Sequence, residues 1–114
     1  MTDTEPLVYA DESFRKGMDL FKECKPEDAK GLFRIAYQLY RKYDKQGERI
    51  SDAAFFLAQS IVESPNNNDE LLEAEDLLIR FHDDETNSEE IPRIYVLGKV
   101  YTLLGRSKLM HLVS

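Results

Sequence analysis

The strongest constraint on this chain is the spacing of its apolar residues. Between positions 26 and 43, Ala29, Leu32, Phe33, Ala36, Leu39 and Tyr40 recur at steps of three and four, and Leu71, Ala74, Leu77, Leu78 and Phe81 repeat the pattern further on. That period marks one face of an α-helix, and no window alternates as a half-buried strand would. Turn signals fall between the periodic windows. Pro26 followed by Glu27 and Asp28 suits a first helical turn, and Ser64 to Glu70 reads as a loop ending in an Asn or Asp cap. Residues 83–90 read as an acidic loop capped by Asn87 or Ser88, with Pro92 early enough in the next helix to be tolerated. Gly47 and Gly105 read as further breaks. The pattern predicts an all-α fold of six antiparallel helices, at about 10–23, 26–44, 48–63, 69–82, 88–104 and from 106 onward. Residues 1–9, with Pro6, are expected to form a flexible N-terminal arm, and 10–114 a single domain.

Charge and composition remove several classes of function. The 114 residues carry a net charge of −7. Within 69–90, ten acidic side chains stand against Arg80 alone. Such a surface repels phosphate backbones and anionic lipid, so no nucleic-acid partner is expected. A single cysteine, Cys24, excludes an intrachain disulfide and a CxxC knuckle. No apolar run of about 18 residues is present to span a bilayer. His82 beside Asp83, Asp84 and Glu85 reads as an exposed helix end, because adjacent residues there do not converge on a metal. Cys24 between Lys22 and Lys25 reads as an ordinary thiol. No glycine-rich phosphate loop, HExxH or GxSxG is present. No catalytic residue, metal site or cofactor is expected, and the chain is not expected to be an enzyme.

A repeat is visible beneath the periodicity. The small residues Gly17, Ala58 and Gly98 lie 41 and 40 positions apart. Around the last, Ile94-x2-Leu97-Gly98-x2-Tyr101 resembles the W-x2-L-G-x2-Y first helix of a tetratricopeptide (TPR) repeat, whose period is about 34 residues. Ala54-x2-Leu57-Ala58-x2-Ile61 repeats it, and Gly17-x2-Leu20 does so in part. Ala29-x3-Phe33-x2-Ala36 resembles a TPR second helix, with Ala74-x3-Leu78-x2-Phe81 as a looser copy. Three stacked TPR-like hairpins in a right-handed superhelical slab are therefore expected, with each small residue a contact point between paired helices. Counted from those residues, the concave face collects Phe14, Met18 and Phe21, then Phe55, Gln59 and Val62, then Tyr95, Lys99 and Thr102. An apolar groove with a few polar groups suits a partner's amphipathic helix or extended peptide. Leu7, Val8 and Tyr9 of the arm are a candidate to occupy it instead, and Phe14, Phe21 and Phe55 are also candidates for the core.

Residues 47–113 resemble a narrower family. The run from Glu48 through "ISDAAFFLAQSIVESPNNNDELLEAEDLLIRF", the acidic turn and "PRIYVLGKVYTLLGRSKLMHLV" resemble the mitochondrial fission 1 protein family. The resemblance implies a receptor that recruits adaptors or a dynamin-like GTPase to the cytoplasmic face of the mitochondrial outer membrane. It also implies membrane attachment only through a C-terminal tail that this chain does not contain. A soluble TPR scaffold or chaperone of another, cytoplasmic assembly is the alternative, and a bundle acting by homodimerisation is the third reading.

Overall fold

The computed structural model describes residues 5–44, 47–80 and 90–113, and every regular element among them is an α-helix. The helices are α1 (Glu5–Lys22), α2 (Pro26–Tyr43), α3 (Glu48–Glu63), α4 (Asn68–Arg80) and α5 (Glu90–Val113). Five helices therefore stand where six were expected, and α5 runs through both of the last two expected spans. Gly105 does not end it, because no described glycine adopts positive φ. Without that left-handed residue, a lone glycine costs only about 1 kcal/mol and the hydrogen-bond ladder continues through it. The expected arm at 1–9 is described only from residue 5 onward. Residues 5–9 form the opening of α1, since Pro6 falls in a first turn whose N–H groups need no partner within the helix. Leu7 packs against the core instead of crossing a groove. Residues 1–4, Phe81, His82, the acidic turn at 83–89 and its expected cap lie outside the described residues.

The turn between α1 and α2 shows how local chemistry sets the hairpin. The Lys25 N–H donates to the Leu20 carbonyl at 2.9 Å and the Cys24 N–H to the Phe21 carbonyl at 3.1 Å. These are the two bonds of a Schellman motif. Cys24 holds its left-handed position, φ 63°, where glycine is usual. Pro26 then opens α2 with Glu27 and Asp28 in its first turn, as its sequence predicts.

Each helix packs on the next in sequence, and α3 also packs on α5. The resulting body is elongated, with extents of 57 × 31 × 24 Å. Helix α3 is the axis. Ile50, Ala53, Ala54, Leu57, Ala58 and Ile61 are all buried, as a helix covered on several sides requires. Phe33 of α2 anchors an aromatic cluster, with ring centroids 5.5 Å from Phe14, 6.3 Å from Phe21 and 5.8 Å from Phe56. Phe14 and Phe21 also reach Phe56, at 5.9 and 6.2 Å, which ties α1 to α3. Such tilted pairs contribute roughly 0.5–1.5 kcal/mol each beyond the area they bury. Gly17 permits this arrangement. A Cβ there would meet Cε1 of Phe33 at 2.8 Å.

Helices α2 and α4 are joined by charge. Lys30 is 2 % exposed, yet its Nζ donates to the Ser64 carbonyl at 2.6 Å and to Glu70 Oε1 at 2.8 Å, and lies 3.0 Å from Glu27 Oε1. Arg34 pairs with Glu73 at 2.8 Å and with Glu70 at 3.4 Å. The Asn67 side chain accepts the Glu70 N–H at 2.9 Å and caps α4, while the Glu70 carboxylate accepts the Asn66 N–H at 3.1 Å. Lys30, then Ser64 and Asn66, hold the Glu27 carboxyl down at about 2. Burial pushes Glu70 up, but Lys30, the Asn66 N–H and Arg34 outweigh it and the carboxyl is lowered.

Two stability changes follow. Gly17→Ala should lose up to about 2 kcal/mol in urea denaturation, because crowding a rigid buried ring costs about 1–3 kcal/mol against a helix-propensity gain of about 1. Lys30→Met should cost about 3 kcal/mol, the low end for breaking a buried pair, since Arg34 still faces Glu70. Depressed carboxyls stabilise the fold above their ordinary pKa of 4.5, and that contribution fades as the pH falls from 4.5 toward 2. Wild-type stability should therefore drop through that window, and the Lys30→Met profile should fall less steeply there.

Candidate partner-binding groove

A groove of about 580 Å³ opens where α5 crosses the C-terminal end of α3. Val62 and Glu63 form one wall, and Ile94, Tyr95, Gly98, Lys99, Thr102 and Leu103 the other. The α3 wall is fixed by the charge cluster behind it. The Ser64 N–H closes the last turn on the Ser60 and Ile61 carbonyls at 3.0 and 3.2 Å, and the buried Lys30 ammonium takes the Ser64 carbonyl. A cation at a helix C-terminus is favourably placed against the dipole.

The α5 wall follows from helical phase. Val96, Val100 and Leu104 are buried against the core with Leu97 and Leu103 packed beside them, so Gly98, Tyr101 and Thr102 turn outward. Ile94 is 58 % exposed and Tyr95 64 % exposed, adjacent on the same groove wall. The Lys99 ammonium lies 4.7 Å from the Tyr95 ring centroid, a cation–π contact on the open face. The Thr102 hydroxyl donates to the Gly98 carbonyl at 3.0 Å. The site is thus an apolar cleft with one cation and one carboxylate at its edges, chemistry suited to holding a side-chain surface.

Of the nine residues expected on the concave face, the structure brings Val62, Tyr95, Lys99 and Thr102 together in this groove. Phe14 and Phe21 lie half-buried in the aromatic cluster. Met18 and Phe55 pack against the core, Phe55 with its ring 5.2 Å from Phe56. Gln59 is half-buried on α3 between Phe55 and Val62. Glu63, Ile94 and Leu103 were missed. Ile94 stands at the tryptophan position of the repeat pattern, and its exposure becomes visible only once the phase of α5 is known.

Gly98 requires a correction. It is exposed, and a Cβ there would meet nothing within 4 Å, so it is no contact point between paired helices. Gly17 and Ala58 are both buried, Ala58 completely. The difference is that, among the described residues, no helix covers the equivalent face of α5. The chain matches no protein-family model, no curated protein and no solved structure.

Gly98→Ala should therefore stabilise the protein by about 0.5–1 kcal/mol, the propensity difference in an open helix interior. The thermal midpoint of unfolding checks this, and a loss would mean that the position is covered in solution.

Proposed function

We propose that this protein is a non-enzymatic adaptor of TPR-like design that holds a helical or extended segment of a partner in the groove between α3 and α5. One observation carries the reading. Val62, Tyr95, Lys99 and Thr102, selected by spacing alone, line a single groove with two large apolar side chains left open. The sequential packing of the helices supports a repeat arrangement, since each helix meets its neighbour in the chain and α1 and α2 reach α3 and α4 in turn.

The resemblance of residues 47–113 to the mitochondrial fission 1 family gives the proposal its setting. The partner would be a fission adaptor or a dynamin-like GTPase, met on the cytoplasmic face of the mitochondrial outer membrane. Attachment to that membrane would come from elsewhere than the described helices, none of which is long and apolar enough to cross it.

The test is partner capture by the immobilised chain, with Tyr95→Ala plus Lys99→Glu as the disabled form. Both side chains lie outside the core, so the variant should fold as the wild type does. Capture should fall at least tenfold in the variant. Equal recovery of the same proteins by both forms would remove the groove from the mechanism. Selective recovery without any dynamin-like GTPase or fission component would keep the groove and remove the fission setting.

A further inference from the structure

The molecule contains its own template for what covers the face centred on Gly98. At the residue four before and three after each small position, α1 has Ser13, 3 % exposed, and Leu20, packed on the core. Helix α3 has Ala54 and Ile61, both fully buried. Helix α5 has Ile94 and Tyr101, 58 % and 47 % exposed. The same sequence positions are thus closed on two helices and open on the third. On α1 the cover is α2, which lays Phe33 on Gly17 between the buried Ala29 and Ala36.

We infer that α5 is a docking face for one amphipathic helix of a partner protein, a helix that carries a large apolar residue between two small ones as α2 does. The inference rests on the groove reading above and names its occupant. The large residue seats over Gly98, where the open backbone leaves the space that Phe33 fills at Gly17. Ile94 then closes over the docked helix, Tyr101, whose hydroxyl is held by Glu75 of α4, bounds it on the α4 side, and Val62 and Leu103 bound it on the α3 side. Charge adds direction. The Lys99 ammonium rests on the Tyr95 ring and pairs with no carboxylate among the described residues. An acidic residue in the helix turn beside the small one would meet it. A second copy of α5 is a poorer cover, because its face presents Gly98 flanked by bulky side chains and no large residue between small ones.

The probe is a synthetic peptide of residues 26–43, the helix that performs this task within the chain, titrated into the full-length isotopically labelled protein. Binding should shift the amide resonances of Ile94, Gly98, Tyr101 and Thr102. Gly98→Leu, whose Cβ meets nothing within 4 Å in the free protein, should weaken binding at least tenfold, as should Phe33→Ala in the peptide. Shifts confined to the surroundings of Gly17, no shift near Gly98 at millimolar peptide, or unchanged affinity with Gly98→Leu would each overturn the inference. A concentration-dependent dimer abolished by Gly98→Leu would also overturn it, in favour of a second copy. Partner capture lost in the Tyr95 and Lys99 variant but retained in Gly98→Leu would overturn helix docking while leaving the groove reading in place.

Discussion

The ammonium of Lys30 organises more of this structure than any other single group. It lies almost fully out of solvent and takes oxygens from three separate places: Glu27 on its own helix, the carbonyl that ends α3, and Glu70 in the first turn of α4. Three elements are thereby held in one geometry. A lone buried ammonium would be strongly unfavourable, and the surrounding carboxylates and carbonyl offset its desolvation. The groove depends on the same contact, because the carbonyl that Lys30 holds belongs to Ser64, next to Glu63 in the groove wall.

The aromatic cluster does for α1, α2 and α3 what the charge cluster does for α2, α3 and α4. Phe33 meets Phe14, Phe21 and Phe56, so three helices converge on one ring, and Gly17 lets α1 come close enough for that convergence. Helix α3 runs between the two clusters, which explains its alanine-rich buried face. Small side chains let its neighbours approach from several directions.

Much of this was legible in the sequence. Helical period, the proline at the start of α2 and the Ala29, Phe33, Ala36 spacing are local signals, and each of those three residues is fully buried. Gly17 was correctly marked as a close approach. The errors share a cause. Gly105 and Pro6 were given their average meaning, but a glycine stops a helix only when its backbone turns left-handed, and a proline is compatible with a first turn. Gly98 carried the motif without the neighbour that gives the motif its purpose. Half of the groove was visible because phase along one helix selects it. The Lys30 cluster was not, since its members lie 34 to 40 residues apart and meet only through packing. A lysine inside an apolar stripe was the available sign.

Because each helix leans chiefly on its neighbours in the chain, cohesion is distributed unequally along the molecule. Helix α3 is enclosed by α2, α4 and α5 and touched by α1, whereas among the described helices α5 leans on α4 and the edge of α3. Detaching α5 would disturb neither the phenylalanine cluster nor the lysine-centred one. The terminal helix can therefore open as a unit at less than the free energy of global unfolding. Any ligand seated against it would draw part of its effect from suppressing that opening, tightening that end of the molecule as it binds.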